Sequence, residues 1–184
     1  MSNFPTPGVY NIDVTHSRLS FVVRHLVVSK VRGQFTDFEG TITVGDTPET
    51  SSVSVTAQAS SFNTNNADRD NHVKSADFLD SENNPTLSFT STSLTSKGGN
   101  EYALTGDLTL KGVTKSVTFD VEFNGQGEHA YAQYFSSVIG FEAKASIDRR
   151  DFGVNVGTNV IPDSVVSHKI DLVLEVEATL PAAN

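Results

Sequence analysis

Strict alternation of apolar and polar residues constrains this chain more than any other feature. Over residues 116–123, Val117, Phe119, Val121 and Phe123 interleave with Ser116, Thr118, Asp120 and Glu122. Ile170, Leu172, Leu174, Val176, Ala178 and Leu180 alternate with a face bearing Asp171, Glu175, Glu177 and Thr179. Ile139, Phe141, Ala143, Ala145 and Ile147 do the same against Gly140, Glu142, Lys144, Ser146 and Asp148. Successive side chains of a strand point to opposite faces, so period two over such lengths means antiparallel strands with one wet face and one dry face. Weaker copies occur at Leu19/Phe21/Val23, Ile42/Val44, Val53/Val55/Ala57/Ala59, Leu87/Phe89, and Tyr102/Leu104 with Leu108/Leu110.

Turn chemistry separates these runs at the spacing of a meander. Lys97-Gly98-Gly99-Asn100, Lys111-Gly112-Val113 and Asn124-Gly125-Gln126-Gly127 read as glycine-bearing hairpin loops. One segment departs from period two. Val73, Ala76 and Leu79 lie three apart behind a candidate N-cap, Asn66, with Asp68 and Asp70 in the first turn. A single short helix is expected over residues 67–79, with Pro85 blocking its continuation. The runs over residues 135–147 and 169–180 would each extend about 40 Å at ~3.3 Å per residue. Twist curls strands of that length into a sandwich or a barrel, and an eight-stranded barrel is either just filled by side chains or holds one small ligand. Period alone leaves the filled and hollow forms both open.

Composition narrows the function. The 184 residues have the length of one domain. The absence of Cys removes disulfides, thiolate metal sites, iron–sulfur clusters and a cysteine nucleophile. The net charge of −9 argues against nucleic acid and anionic membrane surfaces as partners. No apolar stretch approaches the ~18 residues of a spanning helix. The amino terminus lacks the basic and apolar regions of a secretory signal. A cytoplasmic location is therefore expected, or a periplasmic or secreted one if a leader has been removed.

Candidates for chemistry are few. Among five His, none has the spacing of a helical metal motif. His25 shares the parity of Leu19, Phe21 and Val23 and is expected to point inward. A metal site from His16, His25 and His72 is the weaker reading, so neither metal nor catalytic residues are assigned. Gly-x-Ser-x-Gly, Walker and Gly-x-Gly-x-x-Gly loops are absent. The Asp148-Arg149-Arg150-Asp151 cluster reads as salt bridging at a strand end, with Arg149 or Arg150 tying down a loop.

Five stretches in register resemble the YceI-like family of lipid- and polyisoprenoid-binding proteins. They are Tyr10-x-x-Asp13-x-x-His16-Ser17-x-Leu19-x-Phe21-x-Val23-x-His25, Gly33-x-Phe35-x-x-Phe38-x-Gly40, Arg69-Asp70-x-His72-x-x-Ser75-x-Asp77-Phe78, Gly106-x-Leu108-Thr109-Leu110-x-Gly112-x-Thr114, and Asp148-Arg149-x-Asp151-Phe152-Gly153. The resemblance spans residues 9–180, leaving tails at 1–8 and 181–184. It implies an all-β fold: an extended eight-stranded antiparallel barrel, lipocalin-like in outline, with the helix near an opening. It further implies an elongated apolar pocket for a polyprenyl lipid, isoprenoid quinone or fatty amide, often in a homodimer, with no cofactor beyond the bound lipid. The inward residues expected to line that pocket are Leu19, Phe21, Val23, His25, Ile42, Phe89, Leu108, Val117, Phe119, Ile139, Phe141, Ile170, Leu172 and Leu174. Binding and carriage of an isoprenoid lipid without chemistry is the expected function. The alternative is an enzyme acting on such a lipid with His25, His16 or His72 as acid–base groups.

Overall fold

A computed structural model describes residues 4–155 and 165–182. The strands are β1 (Gly8–Ile12), β2 (Arg18–His25), β3 (Ser29–Phe35), β4 (Phe38–Val44), β5 (Ser52–Gln58) and β6 (Phe62–Asn63), then β7 (Thr86–Gly98), β8 (Glu101–Leu110), β9 (Val113–Gly127), β10 (Phe135–Asp148) and β11 (Val166–Pro181). Helix α1 (Ala67–Lys74) lies between β6 and β7. All strand pairings are antiparallel, and the sheet closes because β11 pairs with β1 as well as with β10.

Eleven segments make eight staves because three staves are interrupted. Along one edge of β11, β2 pairs with its first half and β1 with Ala178 and Thr179. Across the β2–β3 hairpin, β3 pairs with β2 and β4 with β1, so β3 and β4 continue one another. In the same way β5 pairs with β4 and β6 with β3. The result is the expected eight-stranded antiparallel barrel with one helix. Its helix-bearing end gathers α1, the β2–β3 hairpin, the Lys111-Gly112 turn and the segment after β10. The opposite end gathers the amino terminus, the β7–β8 hairpin and the β9–β10 connection.

The sequence motif around His16 holds the barrel shut. Between β1 and β2 the chain leaves the ladder, and the buried Ser17 replaces the lost backbone bonds. Its hydroxyl donates to the Glu177 carbonyl (3.1 Å) and accepts from the Glu177 N–H (2.9 Å). Asp13 accepts from the Thr15 N–H (2.8 Å), the Thr15 hydroxyl (2.6 Å) and His16 Nδ1 (2.8 Å). Burial alone would raise the Asp13 carboxyl, but the Thr15 and His16 hydrogen bonds outweigh it and lower its pKa to about 2.

Two glycines set the barrel's inner dimension. A Cβ on Gly33 would lie 2.3 Å from the Phe21 ring, and one on Gly106 would lie 2.5 Å from the Phe89 ring. Each ring covers bare backbone of the neighbouring strand, so aromatic bulk lies flat against the wall.

Two local expectations are corrected. Helix α1 ends at Lys74 rather than Leu79. The Ser75 hydroxyl donates to the His72 carbonyl (2.7 Å), a local bond that competes with helix continuation, and the Leu79 N–H turns back to the Val73 carbonyl (2.9 Å). Asn124-Gly125-Gln126-Gly127 is a bulge inside β9, not a hairpin loop. The register to β10 slips between Gly140↔Gly125 and Phe141↔Phe123, and Gly125 takes φ 136° there. Past the bulge, Gln126 donates to the Ser137 hydroxyl (2.8 Å) and accepts from the Thr6 N–H (2.9 Å).

Candidate functional site: an apolar cavity inside the barrel

The dry faces of the strands do not meet. They enclose a cavity of about 320 Å³ lined almost wholly by apolar side chains. Many inward residues, including Leu19, Val23, Leu108, Ile170, Leu172 and Leu174, are only half-buried although they face the interior. A filled core would leave residues of this type fully buried, since interiors pack to crystal-like density. Their residual exposure is the surface of the cavity.

Aromatic rings shape the walls. Phe21 stacks on Phe62 (centroids 5.0 Å) and both contact Phe35, joining β2, β3 and β6. Phe89 meets Phe119 edge to face (5.2 Å), and Phe123 meets Phe141 (5.2 Å). The opposite end is stopped by Phe4, which packs on Tyr102 (5.9 Å), and by Pro5. Thus the segment expected to be a tail contributes to the wall; residues 1–3, 183 and 184 lie outside the described residues.

At the helix-bearing end, β6 pairs only with β3 among the described residues, and α1 covers the gap between it and β7. Val73, Phe78 and Leu79 turn inward from α1 and the loop behind it. The charged residues of this segment hold that cover in place. Asn66 caps the helix through the Arg69 N–H (3.0 Å). Asp70, buried, accepts from the Thr64 N–H (3.0 Å) and hydroxyl (2.5 Å), while Arg69 Nε donates to the Thr64 hydroxyl (2.7 Å) and Nη2 to the Thr64 carbonyl (3.0 Å). Burial would raise the Asp70 carboxyl, but these Thr64 bonds hold it below its usual value. His72 bonds Asp77 (3.1 Å) and sits edge-on to Phe78 (5.1 Å).

Arg149 is the single charged residue on the cavity wall among the described residues. It is buried, and it donates to the carbonyls of Val154 (2.6 Å), Ser167 (3.3 Å) and Val166 (3.3 Å). It therefore ties the segment after β10 to the start of β11, the role expected of Arg149 or Arg150. Arg150 instead forks onto Asp148 (2.9 and 2.6 Å), and that Arg150 hydrogen bond, with its charge, lowers the Asp148 pKa to about 2.

Of the residues expected to line a pocket, Leu19, Phe21, Val23, Ile42, Phe89, Leu108, Phe119, Phe141, Ile170, Leu172 and Leu174 do line the cavity. Three do not. His25 has the inward parity but stands at the hairpin rim, half-buried, beyond Val23. Val117 and Ile139 are buried in the packed part of the core. Period two gives the facing correctly in all three cases but not the depth at which the interior opens. The lining residues missed by sequence reasoning are of two kinds. Leu104 and Leu110 were legible as inward by parity. Phe4, Phe78 and Arg149 lie outside the alternating runs, and only the tertiary fold brings them in.

The three His of the weaker metal reading stand apart. His16 bonds Asp13 at the barrel closure, His72 bonds Asp77 beside the helix, and His25 stands at the hairpin rim. Asp13, His16 and Glu177 do place one ligand atom each within 4.8 Å of one another, on the outer surface of the closure. The Asp13–His16 hydrogen bond (2.8 Å) and the His16–Glu177 ion pair (3.7 Å) already account for that grouping. No helix among the described residues is long and apolar enough to cross a membrane.

The comparisons bear on this cavity. A model of the YceI-like domain matches residues 10–178. Protein YceI of Escherichia coli O157:H7 is 41% identical over 171 residues, covering 91% of this chain and 85% of that protein. A UPF0312 protein of Pectobacterium carotovorum subsp. carotovorum is 38% identical over 163 residues, covering 88% and 80%. Among solved structures, Burkholderia cenocepacia BcnA superposes with a TM-score of 0.82 at 24% identity, over 91% of this chain and 99% of that one. The Campylobacter jejuni YceI protein gives 0.72 at 31% identity, over 85% and 88%. A polyisoprenoid-binding domain from Saccharophagus degradans gives 0.66 at 14% identity, over 96% and 100%.

Proposed function

The chain belongs to the YceI-like family, and from that premise we propose that it binds and carries or stores a long apolar isoprenoid-type lipid inside its barrel, without performing chemistry on it. The observation that carries this reading is the apolar cavity of about 320 Å³ inside the barrel. The solved Saccharophagus domain of the same fold is named for polyisoprenoid binding, which supports the class of ligand.

Burial of apolar area contributes about 25 cal/mol per Å², so each 100 Å² of prenyl chain covered adds about 2.5 kcal/mol of affinity. Such contacts select length and shape. A pocket of this kind orients its ligand through a few polar groups, and here Arg149, the one charged residue of the lining among the described residues, already donates to the carbonyls of Val154, Ser167 and Val166. The reading therefore rests on the apolar chain of the ligand and leaves its head group open. His25, expected from parity to point inward, lies outside the lining. The reading includes a homodimer and a cytoplasmic location, tested by light scattering and by fractionation of the source cells.

The test is titration of the purified, delipidated protein with a fluorescent prenyl probe, followed by competition with unlabelled prenols and prenyl quinones. The wild type is expected to bind with saturation. Leu172→Trp, which fills the cavity, is expected to fold and to lose binding. Saturable binding of equal strength in both proteins would overturn the cavity as the site. The enzymatic alternative makes a different prediction: turnover of the added lipid that disappears in His25→Ala while binding persists.

A further inference from the structure

The tip of the β2–β3 hairpin carries three consecutive apolar residues facing water. Leu26, Val27 and Val28 are 50%, 70% and 86% exposed. Leu26 and Val27 also adopt left-handed backbone conformations, φ 50° and 66°. A left-handed conformation is strained for L-residues other than glycine, most of all for a β-branched one. A turn selected for folding alone would use Asn and Gly at such positions. The apolar side chains therefore stand at the tip at the expense of the turn.

The flanks of the tip are basic. Arg24 and Lys30 face one another across the ladder, Arg32 follows, and all three are exposed on the outer face of the hairpin. On the adjacent strand Asp171 opposes Val22, accepts from the Ser146 hydroxyl (2.6 Å) and lies 3.5 Å from Lys169. Other exposed acids of this end, Asp68, Asp77 and Asp151 among them, belong to α1, the loop behind it and the segment after β10 rather than to the hairpin. The opposite end of the barrel also exposes apolar surface, at Tyr131 and Tyr134. There the neighbouring charges are mostly acidic: Glu128 beside the tyrosines, Asp46 and Glu49 after β4, and Glu101 at the β7–β8 turn, where Lys97 is paired with Asp120 (2.8 Å). The basic cluster is therefore local to the hairpin, in a chain whose net charge is −9.

We propose that the β2–β3 hairpin docks the barrel on an anionic lipid bilayer. Leu26, Val27 and Val28 enter the headgroup–acyl boundary, while Arg24, Lys30 and Arg32 meet headgroup phosphates. The opposite end then points away from the surface, and α1 and Arg149 lie on the bilayer side, where an apolar cargo would enter or leave. Docking goes beyond lipid carriage and does not depend on the identity of the cargo, so a protein that binds no prenyl probe could still dock, and the reverse.

The test is co-sedimentation of the whole protein with vesicles of phosphatidylcholine, alone or mixed with phosphatidylglycerol, at low and high salt. Sedimentation is expected with the mixed vesicles, with release as salt rises, and little with phosphatidylcholine alone. Each basic residue near such a surface is worth about 1 kcal/mol, so Arg24→Gln with Lys30→Gln is expected to weaken partition about thirtyfold. Leu26→Asn with Val27→Gly relieves the turn; it is expected to hold or raise the melting temperature while losing vesicle binding. That result separates docking from folding. Three results would overturn the proposal: wild type staying in the supernatant, the turn variant sedimenting as well as wild type, or the tip mediating only self-association that the turn variant abolishes.

Discussion

Two regions of this barrel are written in the same period-two pattern and packed differently. Where β1, β10 and β11 meet, Tyr10, Ile139 and Ala178 are essentially inaccessible to water. Further along the same β11, Leu172 and Ile170 point inward and yet border open space, as do Phe21 and Val23 opposite them. In the packed region β1 pairs with both β4 and β11, and Tyr10 donates its hydroxyl to the Thr6 carbonyl (2.9 Å). The hollow region has only the far wall, whose Phe89 ring lies flat over Gly106 and so does not reach across. Stability is concentrated in the first region and capacity for a ligand in the second.

Substitutions test that division directly. Ile139→Ala removes a fully packed side chain and is expected to cost about 3 kcal/mol in denaturant unfolding, with any bound prenyl probe unaffected in a still-folded protein. Gly106→Val drives a side chain into the Phe89 ring and is expected to cost about 2 kcal/mol while pushing that ring into the cavity, lowering probe affinity as well. Leu172→Ala enlarges an existing void rather than creating one. About 1 kcal/mol of stability is expected to go, with a clear loss of probe affinity. Equal unfolding costs for Ile139→Ala and Leu172→Ala would erase the distinction between the regions.

Acid probes the supports outside the cavity. Asp13 and Asp148 titrate at about 2, below an unfolded value of ~3.9. A depressed carboxyl contributes stability that is fully present above the unfolded pKa and is lost as pH falls through the folded one. Unfolding midpoints are therefore expected to be insensitive to these groups above about pH 5 and to drop as pH is lowered from about 4 to 2. His16 shifts the other way, raised by its hydrogen bond to Asp13. Its contribution is present below the unfolded value of ~6.5 and fades as pH rises through the folded one. His16→Gln is expected to make the smallest change of the series, a slight loss of melting temperature at pH 6 that vanishes at pH 9. A loss at pH 9 as large as at pH 6 would assign His16 a role other than this ion pair.

Much of the architecture was legible because period two is a backbone property that tertiary structure rarely overrides over a dozen residues. The inward parity of β9, β10 and β11 follows from it residue by residue. The limits of α1 and the bulge at Gly125 were not legible. A serine hydroxyl competing for a carbonyl and a register slip beside Gly140 depend on partners that only the fold supplies. The cavity was half legible. Parity shows that Leu172 and Ile139 both face inward, but whether the space before them is filled depends on what stands across the barrel. Arg149 shows the same limit. Its charge suggested a surface tie, and the fold turned that tie into part of the cavity wall.

The central claim is that the hollow region houses a lipid, and the most direct measurement is organic extraction of the protein purified from its source organism, followed by mass spectrometry. The account predicts one unmodified prenyl-type lipid in near-stoichiometric amount, lost when Leu172→Trp is purified in the same way. Protein that yields no lipid, and whose melting temperature does not rise with any added prenyl lipid, would contradict it.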